Sequence, residues 1–185
     1  STLFAFSANI YVTTNGDDAL DGTSWESSKF SIQAAIDASS LGDTVFIAEG
    51  IYNQSIKVKD GVHLFGGYDA STGKRNCEVH STILDGSGLE KAIINQTSTF
   101  KNITYFDGLI LQNANHSSNG GAVILKSNGI LNNCTISNCY TSGSGGAVYN
   151  SKGTIANCLI ELCESMGAGG AVHNLGGTVE NTIIR

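Results

Sequence analysis

The C-terminal third of the chain repeats itself. The motif Gly-Gly-Ala-Val begins at Gly120, Gly145 and Gly169, so the spacings are 25 and then 24 residues. A second column keeps the 24-residue spacing throughout, and its members are Asn133, Asn157 and Asn181. Repetition at such a period indicates stacked units, each too small to bury its own apolar face. The repeat therefore predicts a solenoid.

Short runs of β-branched residues, broken by Gly and Asn, fill each unit. A leucine-rich repeat of this length needs a dense leucine lattice, which the chain lacks. At about 3.3 Å per residue, one unit makes a three-sided loop of strands rather than a single hairpin. The pattern predicts an all-β, right-handed parallel β-helix with about 24 residues per turn.

The repeat columns also predict side-chain direction. The position after each Gly-Gly-Ala-Val motif varies from Ile124 to Tyr149 to His173, which is typical of a solvent-facing site. The preceding valines should then point inward, because side chains alternate along a strand. We expect Asn150 and Asn174 to point inward at a corner, and the asparagines of each corner column to bond one another through their amides.

The repeats resemble those of exported bacterial β-helix proteins in the pectate-lyase-like superfamily, and most closely the polymorphic outer membrane protein type with its GGA-[ILV] units. Those units carry an F-x-x-N element. Here the Asn is kept, while the Phe position holds Ile130, Thr154 and Thr178. The resemblance implies a secreted or cell-surface protein on the extracellular side of the outer membrane.

Residues 10–53 resemble the N-terminal capping module of secreted β-helix proteins. Ser31 can cap a short helix, predicted over residues 31–40, with Phe30 as a hydrophobic staple onto Ala35 and Gly42 as its end. Such a helix would cover the open end of the coil before a first strand over residues 44–48.

The expected organisation has four parts. Residues 1–8 read as the remnant of an export signal or tail, residues 9–50 as the cap with the first strand, residues 51–119 as irregular turns, and residues 120–185 as regular repeats. The last unit stops at Arg185, 17 residues into a 24-residue repeat. We therefore expect the remainder of the protein's own chain, beyond Arg185, to be a partner of this segment.

Charge and hydropathy exclude two classes of partner. The chain has 10 basic and 16 acidic residues and a net charge of −6, so it offers little to attract a nucleic acid backbone. No apolar run reaches the roughly 18 residues that span a bilayer. We expect no nucleic acid partner and no membrane insertion in this segment.

Four of the five cysteines follow the repeat, as Cys134 with Cys158 and Cys139 with Cys163, while Cys77 has no counterpart. Cysteines of matching columns would lie about 4.8 Å apart in neighbouring turns. The dihedral of a disulfide is hard to reach from in-register parallel side chains. Stacked free thiols are the preferred interpretation, and bridges between turns stay open.

Other polar residues are better explained by solvent exposure than by chemistry. Asp17, Asp18 and Asp21 crowd like a calcium loop but lack its full spacing, so a solvated turn is preferred. Lys57, Lys59, His63 and His80 are read as outward positions. The sequence predicts no metal, no cofactor and no catalytic residue.

Two functional hypotheses follow. The first is a non-catalytic, adhesin-like module that binds a glycan or a surface protein through outward residues such as Tyr149 and His173. The second is the N-terminal part of a polysaccharide lyase or glycoside hydrolase, whose active site lies downstream or on the irregular turns. No Asp or Glu stands between Asp107 and Glu161, and hydrolysis of a glycoside usually needs two carboxylates. The charge-poor repeats favour the first hypothesis.

Overall fold

A computed structural model describes residues 7–185, which form one coil of short parallel strands with a single short helix. The strands in chain order are β1 (Asn9–Val12), β2 (Thr44–Ala48), β3 (Gly50–Tyr52), β4 (Ile56–Lys57), β5 (His63–Tyr68), β6 (Thr82–Asp85), β7 (Ile94–Asn95), β8 (Thr104–Asp107), β9 (Leu109–Gln112), β10 (Asn115–His116), β11 (Val123–Lys126), β12 (Gly129–Asn132), β13 (Thr135–Ser137), β14 (Tyr140–Thr141), β15 (Val148–Ser151), β16 (Thr154–Ala156), β17 (Leu159–Glu161), β18 (Glu164–Ser165), β19 (Val172–Leu175), β20 (Thr178–Glu180) and β21 (Ile183–Ile184). Helix α1 covers Ile32–Ala38.

These strands build four parallel sheets along the coil. The first sheet has the order β1-β2-β5-β8-β12-β16-β20, and the second has the order β3-β6-β9-β13-β17-β21. The third sheet contains β4, β7, β11, β15 and β19, and the fourth contains β10, β14 and β18. Each strand pairs with its counterpart in the next turn, so the predicted parallel β-helix is confirmed.

The predicted columns become registered pairs. Val123, Val148 and Val172 lie opposite one another in the third sheet. The Leu131 column is likewise in register in the first sheet, where Leu131 also pairs with Phe106 of the preceding turn. The Ile136 column is in register in the second sheet, where Ile136 also pairs with Leu111. Their side chains, apart from those of the last turn, are buried in one continuous core. The first spacing of the motif is one residue longer than the second. This extra residue lies between Lys126 and Ile130, because Lys126 pairs with Ser151, 25 residues ahead, and Ile130 pairs with Thr154, 24 residues ahead.

The two glycines of each motif have different roles. The first has a positive φ, between 69° and 76° at the three sites, which favours glycine. The second lies where neighbouring turns approach most closely. A Cβ built at Gly146 would lie 2.5 Å from the carbonyl oxygen of Glu164 and closer still to that of Gly170. The motif therefore sets the spacing between turns at this corner.

Asparagines hold the corners in two ways. Asn150 is fully buried and bonds inside the coil, donating to the carbonyl oxygen of Gly153 at 3.1 Å and to Asn174 Oδ1 at 2.9 Å. This ladder is confirmed. Asn133, Asn157 and Asn181 adopt the left-handed backbone expected of corner residues. The amide ladder predicted for them is wrong, because they are exposed and Asn157 donates instead to Asn132 Oδ1 at 2.8 Å.

Helix α1 packs against β1, β2 and β4 near the N-terminal end of the coil, and its bounds are narrower than the predicted residues 31–40. Ser31 is its N-cap and accepts from the backbone N–H of Ala34, while Ser39 ends it, not Gly42. Phe30 stays 51% exposed, so it is not the buried staple that was expected. Strand β1 precedes the helix and pairs with β2, so residues 44–48 are not the first strand. The predicted export remnant, residues 1–8, lies mostly outside the described residues.

All five cysteines are free thiols. Each of the four repeat cysteines donates to the carbonyl oxygen two residues before it, at 3.1–3.2 Å. Thr182 makes the same bond to Glu180 in the last turn. These side chains follow a left-handed residue at each corner. Each of these carbonyl oxygens also accepts a backbone N–H from the preceding turn, so the thiol or hydroxyl adds a second hydrogen bond to it.

Candidate functional site

Five aromatic side chains gather on the outer face of the first sheet, and we call them the aromatic cluster: Tyr11, Trp25, Phe46, Phe65 and Tyr68. Tyr11 packs edge-on against Trp25, with ring centroids 4.7 Å apart, and lies 5.6 Å from Phe46. Tyr68 joins the other side, 4.8 Å from Phe46 and 5.7 Å from Trp25. All five are half-buried, so the cluster is a partly open aromatic surface.

Strand alternation explains how distant segments meet there. Tyr11, Phe46 and Phe65 occupy opposing positions in β1, β2 and β5, and each has a buried residue on both sides in sequence. The register shifts after Phe46, so that Tyr68 rather than Gly67 lies opposite Ala48. This extra residue in β5 turns the Tyr68 ring to the outer face.

Arg75 lies across one end of the aromatic cluster. The carbon at the centre of its guanidinium is 5.1 Å from the ring centroid of Phe65 and 5.9 Å from that of Tyr68, which places a cation over both rings. Its Nε donates to the carbonyl oxygen of Gly66 at 2.8 Å. Its Nη2 pairs with Asp107, whose other oxygen accepts from Asn132.

The electrostatics of this pair keep Arg75 charged. Its side chain is 30% exposed and that of Asp107 is 9% exposed. Burial by itself would lower the pKa of Arg75, but the hydrogen bond to Asp107 and the charge of that carboxylate raise the pKa above its ordinary value. Arg75 is therefore a permanent cation that is already paired.

An open groove runs beside Arg75, with a volume of about 490 Å³, and we call it the Arg75 groove. Its lining is Arg75, Asn76, Cys77, Glu78, Gly108, Leu109, Ile110, Asn133 and Thr135. Gly108 has a φ of 67°, and a Cβ there would lie 2.5 Å from both Arg75 Nη2 and Cys77 Sγ. Any larger residue at position 108 would clash with Arg75 and Cys77, so glycine is required for these two side chains to pack against the sheet backbone.

A second concavity of about 350 Å³ opens at the other end of the aromatic cluster, and we call it the Trp25 pocket. Trp25 is surrounded there mainly by polar residues, with Gly16, Leu20 and Ala70 as the others; the lining is Thr13, Asn15, Gly16, Asp17, Leu20, Trp25, Glu26, Ser28, Ala70 and Ser71. Within residues 7–185, the indole N–H of Trp25 and the side chain of Asn15 make no hydrogen bond.

The residues singled out by the repeat lie elsewhere. Tyr149 and His173 are opposing residues of β15 and β19, on the outer face of the third sheet. Their rings stack with centroids 5.3 Å apart and planes 13° apart. Each ring therefore covers one face of its neighbour. Their role in ligand binding stays a prediction.

The scattered basic residues are not brought together. Lys57 is exposed on the third sheet, and Lys59 Nζ donates to the carbonyl oxygens of Asp37 and Ser39 at the end of α1. His63 accepts from the backbone N–H of Tyr105 at 3.2 Å, and burial lowers its pKa. His80 pairs with Glu49 at 2.9 Å.

The aspartates near residue 18 also turn to different donors. Asp18 accepts from the backbone of Phe30 and Ser31, whereas Asp21 accepts from Thr23 and Ser27. Asp17 accepts from the N–H of Ala19, two residues ahead. No group of three or more potential metal ligands is found within the part of the chain that the structure describes.

One further carboxylate ties the second sheet to its neighbouring loop. Asp85 accepts from the N–H of Ser87 at 2.8 Å, from Gln112 at 3.0 Å and from Asn113 at 3.1 Å. Partial burial raises the pKa of Asp85, but these hydrogen bonds outweigh it and lower the pKa to about 2.

Sequence reasoning missed the aromatic cluster and Arg75. The cluster draws on segments that carry no repeat, and only the alternation within IYV, VFI and HLF indicated that Tyr11, Phe46 and Phe65 face outward. Nothing in the sequence pairs Arg75 with Asp107, because a loop outside the strand pattern delivers the arginine.

Comparison with known proteins assigns the family. The family model described as "Protein of unknown function (DUF1565)" matches residues 14–183. The chain belongs to this family. No curated protein and no solved structure matches it. The matched range contains the helix, the Arg75 groove, the regular repeats and the lining of the Trp25 pocket except Thr13, whereas strand β1 with Tyr11 lies before it. The structure has no helix, within residues 7–185, that could span a membrane.

Proposed function

We propose that this DUF1565 chain is a non-catalytic glycan-binding module. One observation carries the proposal: the aromatic cluster on the first sheet is flanked by two open concavities whose linings combine polar and apolar residues. Ligand sites commonly combine aromatic surface with a few polar groups that fix orientation. The proposed site is this surface, rather than the stacked pair Tyr149 and His173.

The chemistry of the surface suits a sugar. A pyranose ring presents C–H groups on its faces and hydroxyl groups around its rim, so it needs an aromatic face beneath it and hydrogen-bonding groups beside it. Trp25 and Tyr68 supply amphipathic rings with polar tips. Asn76 and Asn133 at one end, with Asn15 and Asp17 at the other, supply donors and acceptors.

The Arg75 and Asp107 pair favours binding over cleavage. A lyase needs a base that can accept a proton, and the raised pKa of Arg75 keeps the guanidinium protonated. Both oxygens of Asp107 already accept, one from Arg75 and the other from Asn132. Arg75 keeps its proton and is held by Asp107, so we assign it to shaping the groove.

The wider setting rests on the resemblance of the repeats. We propose a member of the pectate-lyase-like superfamily, secreted or displayed on the outer surface of a bacterium, where a rod of stacked turns acts as an adhesin. Its partner is a polysaccharide, or a surface protein that carries glycans. The parallel solenoid supports this setting because it provides a long rigid scaffold for a surface site.

A glycan array tests the proposal. The purified chain should bind a defined set of glycans, and Trp25→Ala should weaken that binding about tenfold or more, equivalent to ~1.4 kcal/mol. Tyr140→Ala is the matched control, since Tyr140 is an exposed tyrosine on the fourth sheet, outside both concavities, and should bind normally. Far-UV circular dichroism checks that both variants fold.

Two results would overturn the proposal. The first is a chain that binds no glycan on the array. The second is a bound glycan that is shortened, with new reducing ends or unsaturated ends, which would instead favour the lyase or hydrolase hypothesis.

A further inference from the structure

The two ends of the aromatic cluster differ in charge. The lining of the Arg75 groove contains both a cation, Arg75, and a carboxylate, Glu78, whereas that of the Trp25 pocket contains the carboxylates of Asp17 and Glu26 and no Lys, Arg or His. We infer that the Trp25 pocket is a subsite for one uncharged sugar unit and that it rejects sugars bearing carboxylate or sulfate groups. The inference rests on the proposed function and adds its specificity.

The indole of Trp25 is positioned by its neighbours. Tyr11 meets it edge-on at 66°, and Tyr68 packs against it at 45°. Fixed rings bind a ligand with little loss of conformational freedom. Because the indole N–H has no acceptor within residues 7–185, it can donate to a sugar hydroxyl while the ring packs against C–H groups.

The polar groups around Trp25 are mainly acceptors. Asp17 uses one oxygen for the N–H of Ala19, at 2.9 Å, and the other makes no hydrogen bond within the described residues. Asp17, Glu26 and Asn15 are exposed at the pocket. Carboxylates accept from the hydroxyl groups of a neutral sugar, and the Asn15 amide adds donors.

The same carboxylates oppose an anionic ligand. Lys29 lies on the same loop, but its ammonium donates to the carbonyl oxygens of Asp18 and Leu20. Lys29 keeps its charge but is not part of the lining, so a uronate in the pocket would meet two like charges and no lining cation. Repulsion between like charges that share one pocket disfavours it by roughly a factor of five or more. The volume of about 350 Å³ is at the small end for ligand sites, which suits one sugar unit.

The single tryptophan makes the site directly observable. Trp25 is the only Trp in the chain, so the indole N–H gives one resonance in a ¹H–¹⁵N spectrum. We would titrate the ¹⁵N-labelled chain with two pairs of hexamers. Each pair compares a neutral sugar with the uronic acid that has a carboxylate at C6: galactose with galacturonic acid, and glucose with glucuronic acid. Calorimetry run in parallel measures binding anywhere on the chain.

We expect a neutral hexamer to shift the indole resonance and the matching uronate to bind at least fivefold more weakly. The double variant Asp17→Asn with Glu26→Gln should lower that preference about fivefold while the neutral sugar still binds. Glu180→Gln, an exposed carboxylate far along the first sheet, is the control and should leave the preference unchanged.

The outcomes separate the inference from the proposed function. No binding of any hexamer, by heat or by the indole resonance, overturns the inference, and an array without any bound glycan overturns the proposed function as well. Heat without movement of the indole resonance overturns the inference alone, as does a uronate that binds Trp25 as tightly as its neutral counterpart. A preference that survives in the double variant overturns the role of Asp17 and Glu26.

Discussion

Gly146 offers a direct test of how the repeat motif sets the spacing between turns. It is buried where two turns meet, and its N–H donates to the carbonyl oxygen of Gly170 at 2.8 Å. The Cβ of an alanine would lie 2.5 Å from the carbonyl oxygen of Glu164, whereas ordinary contact begins at 3.4 Å. Both neighbouring oxygens belong to backbone, so the turns themselves must move.

The cost follows from this overlap. Overpacking against backbone costs about 3 kcal/mol, at the upper end of the usual range. An alanine also restricts the unfolded chain, which offsets about 0.4–1 kcal/mol. Gly146→Ala should therefore reduce the free energy of unfolding by about 2–3 kcal/mol, which lowers Tm by roughly 5–10 °C for a chain of this size.

Gly170 is the matched control. It stands at the same position of the next motif, its φ is outside the left-handed region, and a Cβ there would meet nothing within 4 Å. Gly170→Ala should leave Tm unchanged or raise it slightly. Thermal melts followed by far-UV circular dichroism report on the whole coil. Equal melting temperatures for the two variants would refute the claim that the second glycine is required by the close approach of neighbouring turns.

Two further changes test the polar groups of the coil. Asn150→Leu should destabilise the chain by about 2 kcal/mol in urea unfolding, because it leaves the buried N–H of Gly153 without its 2.9 Å acceptor, and a stability equal to wild type would contradict this. Asp85→Asn should make the free energy of unfolding depend less on pH in the acidic range. The pKa of Asp85 is about 2 in the folded state, below the ordinary 3.8. The carboxylate therefore stabilises the fold above pH 4, and this contribution is lost as the pH falls toward 2. Urea midpoints measured from pH 5 to pH 2 check the expectation, and parallel profiles for wild type and variant would count against it.

The repetitive part of the fold could be predicted because repetition specifies neighbours. Once Val123, Val148 and Val172 are aligned in sequence, parallel stacking places them opposite one another, and alternation decides which side chains point inward. For Asn133, Asn157 and Asn181 the backbone conformation was predicted correctly but the hydrogen bonds were not. Register alone does not determine which amide an exposed Asn157 reaches.

The candidate site could not be predicted in the same way. Strand β1 pairs with β2 across the helix and two loops, and no repeat links the two segments. Arg75 reaches the aromatic cluster from a loop that packs closely against Gly67 and Gly108, where a Cβ would clash with Cys77 or Arg75. Such contacts depend on three-dimensional packing, which a local sequence pattern does not encode.

The central claim is that this chain binds a glycan on the outer face of its first sheet. Hydrogen exchange measured by mass spectrometry, with and without a glycan selected on the array, locates the bound ligand. We predict slower exchange in residues 11–30 and 65–77, which contain Trp25, Tyr68 and Arg75, and no change in residues 148–175. Protection confined to residues 148–175, around Tyr149 and His173, would contradict the claim and place the site on the third sheet.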